Sequence, residues 1–454
     1  MRQKSEQLEL ALEARGEAPQ GQRSGEASTT FRGNERSGAD HQRMEQVVGR
    51  ANALAALKRV KQNRGSPGVD GMTVDDLTPY LATHWEVIRE QLLAGTYQPQ
   101  PVKRQEIPKP GGGTRTLGIP TVLDRFLQQC LLQVLQPQFD PTFSDHSYGF
   151  RPGRSAHQAV RAAQGYIQSG RRWVADVDLA QFFDRVNHDV LMERLSRRIA
   201  DGRVLRLIRR YLVAGVMADG VVVGRHEGTP QGGPLSPLLA NVLLDEVDKA
   251  LEKRGLVFAR YADDLNVYTG SKRAADDAMV TLRRLFARLR LQVNEAKSTG
   301  ARVWERKFLG YSFWVAPGRV VRPRVAPAAL TEMKARVRQI TNRTGGRSMT
   351  RVTEELRSYL TGWRLYFQLA ETPSIFGELD KWLHHRLRAL QLKQWKRGTT
   401  AYRALRARGL SDKVARQGAA HVHRWWAAAA HPAFTLALPI SYFDRLGVPR
   451  LAGR

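Results

Sequence analysis

The sequence predicts an α+β protein: a body of mixed helices and strands with an antiparallel sheet, followed by an almost wholly helical C-terminal third. Three observations carry that prediction. Leu256–Tyr268 holds two β-prone apolar runs on either side of Asp263-Asp264, the pattern of a β-hairpin with acids at its tip. Trp173–Leu179 alternates as a strand, with Val174, Asp176 and Asp178 on one face and Trp173, Ala175, Val177 and Leu179 on the other. Past a linker marked by Pro317, Pro323 and Pro327, the chain reads as helix throughout.

The elements follow in order. Residues 1–44 are polar, rich in Gly, Ser, Gln and charge, and predict a mobile tail. Residues 45–61 read as one helix, ended by Asn63–Gly68. Residues 84–160 read as short helices with a Gly-rich turn at Pro110–Gly113. Residues 171–315 alternate strand and helix signals, as an α+β layer does. Within them Ser236 predicts an N-cap with Pro237 as first helical residue. Leu239, Leu243, Val247 and Leu251 then repeat at every fourth position, and Gly255 closes the helix. Helices are predicted over 328–341, 350–369 and 376–397. Residues 399–454 read as a small basic module containing tryptophan.

Charge names the class of partner. The 454 residues carry a formal net charge of +29. Residues 301–454 hold 29 Lys/Arg against 9 Asp/Glu, so +20 of that excess lies in the last third. A polyanion is the expected partner, bound with the salt dependence of counterion release. Arg386 is read as one of its exposed cations. Trp363, Tyr366, Trp382, Trp395, Trp425 and Trp426 lie among these cations and suit unpaired bases, although core packing explains helical aromatics as well. Cys130 is the single cysteine, so an internal disulfide is excluded, and its apolar flanks predict a packed helix. No apolar run reaches the length of a membrane span and no signal-peptide core opens the chain, so a reducing cytoplasm is expected.

The acids carry the chemistry. Asp263 and Asp264 at a hairpin tip, brought beside the acid-bearing strand, would repel one another strongly. A pair of divalent cations would remove that cost. Two such ions about 3.5–4 Å apart serve in-line phosphoryl displacement. Alternation puts Asp176 and Asp178 on the same face and cannot choose between them.

Several further motifs stand in order along the chain. They are Gly65–Gly71, Lys109-Pro110 with Arg115–Pro120, Ser147–Ser155, the Asp178 strand, Thr229–Pro237, Tyr261–Asp264, Leu291–Lys297 and Phe308–Tyr311. The ordered set, from about Gly65 to near the C-terminus, resembles the reverse transcriptases encoded by group II introns, also called maturases. The resemblance implies a right-hand polymerase. Residues 45–170 would be N-terminal extension and fingers, 171–315 the palm, 319–398 a helical thumb or maturase domain X, and 399–454 a DNA-binding-like module.

The resemblance also implies roles. It selects Asp178, with Asp263 and Asp264, to hold two Mg²⁺ ions, with Mn²⁺ as a substitute. Phe183 would wall off a 2′-OH and so favour dNTPs. Lys109 and Arg115 would clamp the triphosphate. Gln231 and Gly232 would touch nucleotide or template, and Lys297 would stand near the leaving pyrophosphate as a general acid. Phe308, Leu309, Gly310 and Tyr311 would grip the primer. Intron RNA or another structured RNA template and a DNA primer or target would be the partners, in a bacterial cytoplasm without membrane attachment. The zinc-containing H-N-H endonuclease of some relatives is not expected, since cysteine pairs are missing. Two other readings remain: a domesticated bacterial reverse transcriptase in defence or repair, and a non-catalytic RNA-binding splicing factor. The latter predicts eroded acids, and all three are present.

Overall fold

The computed structural model describes residues 42–108, 114–218, 221–224, 227–230 and 232–453. All but the last three residues of the predicted tail therefore lie outside the described residues. The chain divides into two compact units, Met1–Ala159 with Arg171–Ala301, and Val160–Gly170 with Arg302–Arg454.

Among the described residues the first unit contains eight strands: β1 (Val102–Pro108), β2 (Thr114–Ile119), β3 (Trp173–Val177), β4 (Val216–Ala218), β5 (Val221–Val223), β6 (Val257–Tyr261), β7 (Asp264–Thr269) and β8 (Thr299–Arg302). They form two four-stranded sheets, ordered β2-β1-β4-β5 and β6-β7-β3-β8. In the second sheet β3 and β6 both run antiparallel to the central β7. Helices Ser236–Lys253 and Lys272–Arg288 pack on this sheet, and helix Val122–Phe139 packs on the first of these. Val122–Phe139 starts at Thr121, whose hydroxyl accepts the Asp124 amide, and it buries Phe126, Leu127, Cys130 and Leu131. Cys130 is thus the packed residue its flanks predicted.

Helix Ser236–Lys253 buries Leu239, Leu243, Val247 and Leu251, the stripe read from sequence. Gly255 follows its end at φ 67°, a left-handed conformation suited to glycine. Its start differs from expectation. Ser236 is already helical, and its hydroxyl donates to the Pro230 carbonyl at 2.8 Å while accepting from Thr229 Oγ1 at 2.9 Å. The serine ties down the preceding loop and does not cap the helix.

Two other expectations change. The helix read over 45–61 is two helices, Arg43–Val47 and Arg50–Asn63, because Gly49 between them takes a non-helical ψ of 139°. The segment read as short helices holds two of 18 residues, Leu77–Ala94 and Val122–Phe139, and between them the β1–β2 hairpin.

In the second unit β9 (Tyr311–Ala316) and β10 (Val320–Val325) form a hairpin in full register. β10 falls where a linker was expected. Its Pro323 pairs with Phe313 in a sheet of only two strands, where an edge tolerates the missing N–H. Helices Pro327–Ile340, Met349–Tyr366 and Pro373–Trp395 follow, close to the three predicted. Ser348 caps the middle one by accepting the Arg351 amide. Five shorter helices occupy 398–445. Among the described residues no helix is long and apolar enough to cross a membrane.

Candidate active site

The β3–β7 register fixes the acids. The last pair is Val177 with Leu265, so Asp178 and Asp264 take the next opposed positions at the sheet's end. Tyr261 pairs with Asp264, leaving Ala262-Asp263 as a two-residue turn. Asp178 and Asp264 therefore come to the same end of the sheet from distant segments, with Asp263 next to Asp264 in the chain. Asp176 lies one pleat back, opposite Asn266, whose amide in its satisfied orientation donates to Asp176 Oδ1 at 2.9 Å. The two acids that alternation left equivalent are separated by this neighbour.

Asp178 is half-exposed. Its carboxylate accepts from Asn294 Nδ2 at 3.2 Å and lies 3.5 Å from Lys297 Nζ. Its backbone is clasped as well: Asn294 N donates to its carbonyl, and its own N–H donates to Ser298 Oγ. Lys297 thus reaches the acid site.

The turn needs support, because Ala262 sits at φ 58°, which is unfavourable for any residue with a Cβ. Arg260 supplies it. Its guanidinium is 1% exposed and donates to the Ala262 carbonyl at 2.9 Å, Asn241 Oδ1 at 3.0 Å and Ser147 Oγ at 2.7 Å. Asp248, fully buried, accepts from it at 2.8 and 3.0 Å. Asn241 Nδ2 in turn donates to the Gly149 carbonyl. Gly149 packs on the turn so closely that a Cβ there would lie 2.2 Å from Ala262 N. Sequence reading missed Arg260, Asp248, Asn241 and Gly149. The available signal was Asn241 and Asp248, seven residues apart and so together on the largely apolar face of their helix.

Phe183 is half-buried near the same end. Its ring meets Phe150 at 6.4 Å and Phe182 at 5.1 Å, both edge-on. Phe182 is core, as expected. Phe150, 41% exposed and itself 6.5 Å from the Tyr261 ring, links Phe183 to the hairpin and was given no role from sequence. Gly232 has φ 139°, and a Cβ on it would approach the Gly118 carbonyl to 2.7 Å, so that position needs glycine. Arg115 lies in β2 with its backbone paired to Ile107. Lys109 and Gln231 lie outside the described residues.

Phe308–Tyr311 belongs to the second unit. It is a tight turn: Phe308 and Tyr311 exchange backbone hydrogen bonds at 2.8 and 3.0 Å, with Leu309 and Gly310 at φ 52° and 76°. Phe308 and Tyr311 are buried, and the Tyr366 hydroxyl donates to the Leu309 carbonyl. The side chains of Phe308 and Tyr311 are thus packing, and the turn backbone is held from behind. Arg386, expected to be exposed, is half-buried and donates to Thr341 Oγ1.

Hard carboxylate oxygens at an exposed sheet end suit Mg²⁺. Among the described residues, however, no group of three or more His, Cys, Asp or Glu could by itself hold a metal ion.

Comparison with known proteins fits this geometry. Residues 107–313 match the family model for reverse transcriptase (RNA-dependent DNA polymerase), and residues 330–409 match the group II intron maturase-specific domain. The chain is 38% identical to protein YkfC of Escherichia coli over 222 residues, 47% of this chain and 58% of that one. It is 35% identical to the group II intron-encoded protein LtrA of Lactococcus lactis over 206 residues, 45% of this chain and 34% of that one. The matched stretches thus span less than two thirds of either relative. With a reverse transcriptase segment followed by a maturase-specific segment, the chain belongs to the group II intron reverse transcriptase/maturase family.

Proposed function

We propose that the protein is an RNA-directed DNA polymerase of a group II intron, which copies intron RNA into DNA and assists splicing and mobility by binding that RNA. The observation that carries this reading is the β3–β7 register, with Asp178 and Asp264 opposed beside the Asp263 turn in a chain of this family.

Asp178, Asp263 and Asp264 would hold two Mg²⁺ ions. Mg²⁺ is usually bound by one or two carboxylates together with substrate phosphates, so the phosphates of a bound nucleotide would complete the ions' ligand set. When bound, the ions would supply charge neutralisation and a more acidic primer 3′-OH. The chain's own residues orient the rest. Arg260 and Gly149 fix the tip that carries Asp263 and Asp264. The primer 3′-oxygen attacks the α-phosphorus of a dNTP, the bond to the β-phosphate bridging oxygen breaks, and pyrophosphate leaves. Lys297, 3.5 Å from Asp178, would give its proton to that pyrophosphate. Phe183, braced by Phe150 and Phe182, would form the wall against a 2′-OH. Arg115, with Lys109, would contact the triphosphate, Gly232 with Gln231 would touch the nucleotide or the template, and the Leu309-Gly310 turn would aim the primer.

The partners on this reading are a structured RNA template, a DNA primer or target and dNTPs, in a bacterial cytoplasm. Purified protein given a primed RNA template, dNTPs and Mg²⁺ should extend the primer. No incorporation on any primed RNA, with the protein folded, would overturn the polymerase reading and favour a non-catalytic RNA-binding role.

A further inference from the structure

Three tryptophans of the second unit carry four cations, none of them paired with a carboxylate among the described residues. Trp382 lies on helix Pro373–Trp395, and Trp425 and Trp426 form the start of the short helix Trp425–Ala428. The Arg343 guanidinium stands 4.8 Å from the Trp425 ring centroid and 5.6 Å from that of Trp426. Lys393 Nζ lies 4.4 Å over Trp425. Arg386 lies 5.4 Å over Trp382 and 6.0 Å from Trp426, and Arg338 also covers Trp382, at 5.7 Å. His385 packs edge-on against Trp426 with ring centroids 4.3 Å apart, yet Trp426 remains 43% exposed.

The electrostatics are one-sided. Nearby Arg347 and Arg351 pair with Glu355, and Lys381 pairs with Glu378. Among the described residues none of the four cations over the tryptophans has such a partner. Burial, and then the charges of Arg343 and Arg338, depress the Arg386 guanidinium below its usual range. Ring faces hold these cations by cation–π attraction, worth roughly 0.5–1 kcal/mol each at an exposed site. That offsets only part of the mutual repulsion. A ligand that relieves the rest needs regularly spaced negative charge. The exposed indole asks for a flat aromatic group in the same ligand. Unpaired nucleotides meet both requirements, whereas duplex bases are already stacked on each other.

We propose that this surface binds a short run of unpaired nucleotides, with phosphates on Arg343, Arg386 and Lys393 and a base stacked on Trp426. The proposal rests on the reading of the chain as a nucleic-acid-binding protein and not on its polymerase chemistry. It joins the maturase-specific segment, which holds the cations, to residues beyond that segment, which supply Trp425 and Trp426.

The test uses the full chain and Trp426→Ala, with Trp426→Phe as the conservative variant. The probes are an unstructured RNA decamer, the same decamer in DNA, and a blunt RNA duplex of equal length. Trp426→Ala should weaken binding of at least one decamer about 5-fold or more, the lower end of what one base–aromatic stack contributes. Trp426→Phe should recover most of it, and duplex affinity should be unchanged. Selective loss on RNA assigns the surface to an RNA strand, and selective loss on DNA to a primer or target strand; either supports it. Unchanged decamer affinity in Trp426→Ala, or equal loss on decamer and duplex, overturns it. Selective decamer loss in a protein that never extends a primer would sink the polymerase reading and leave this surface standing; extension with unaltered decamer binding would do the reverse.

Discussion

Replacing Arg260 by Met separates what the Arg260–Asp248 pair does for stability from what it does for the acidic turn. Asp248 is fully buried, so Arg260→Met strands a carboxylate among Leu244, Val247 and Leu251. Breaking a buried pair from one side costs about 3–5 kcal/mol, because the remaining charge is uncompensated. The variant also removes the donors to Asn241, Ser147 and the Ala262 carbonyl. A second replacement, Asp248→Leu, takes the stranded charge away. Exchanging a buried pair for apolar residues is often neutral or stabilising, so the double variant should regain most of the lost stability. It regains no donor to Ala262, however, and the turn at φ 58° stays unsupported. Urea unfolding should therefore show a deep loss in Arg260→Met and recovery in Arg260→Met/Asp248→Leu. Primer extension by the double variant, assayed well below its unfolding midpoint, should stay at least tenfold below wild type. Full extension by the stabilised double variant would refute a positioning role for Arg260. A loss under about 1 kcal/mol in the single variant would refute the buried-pair argument itself.

The remaining predictions concern the acids, the aromatic wall and one buried imidazole. Asp263→Asn keeps shape and removes charge, so primer extension in Mg²⁺ should vanish while thermal stability and RNA binding hold; wild-type extension would remove Asp263 from the metal set. Phe183→Val should raise rNTP use relative to dNTP, because the wall recedes while Phe150 and Phe182 keep their places, and an unchanged ratio in an active variant would make Phe183 simple packing. Burial lowers the His384 imidazole below its ordinary 6.5, and its Nε2 has no hydrogen-bond partner among the described residues. The folded state thus favours the neutral ring. Its contribution is present above about pH 6.5 and is lost as pH falls through the depressed folded value. Thermal melts should drop with acid below pH 6.5, and His384→Leu should flatten that drop; an equal slope in both proteins would exclude His384 as its source.

The legible parts of this fold are those where one face is apolar. Leu239, Leu243, Val247 and Leu251 announce their helix because each is buried on one stripe. Trp173–Val177 announces a strand by alternation, with Trp173, Ala175 and Val177 on one face, and the hairpin around Asp263 by β-prone apolar runs on either side of its acids. The β1–β2 hairpin carries no such signal. Lys103, Arg104, Gln105 and Glu106 are exposed in succession, so alternation has no inner face to display. β10 was obscured differently: Val321, Pro323 and Val325 face inward at period two, but Pro323 reads as a breaker until its edge position is known.

The acids at the site were legible, and the structure that aims them was not. Asp178 and Asp264 could be paired because each ends a readable strand. The supports of the turn lie far apart in sequence: Gly149 is 113 residues from Ala262, and Ser147 the same distance from Arg260. No local period connects such positions. A strained residue persists only where its surroundings over-determine it. Ala262 meets that condition three times, through the Arg260 donor, the Gly149 backbone and the β6–β7 ladder. A glycine at position 262 would reach the same φ without strain and would also sample others. An alanine held from three sides keeps one conformation. The turn that carries Asp263 and Asp264 is therefore held by a buried arginine and a distant glycine, and a substitution at either should disturb the turn before it unfolds the sheet.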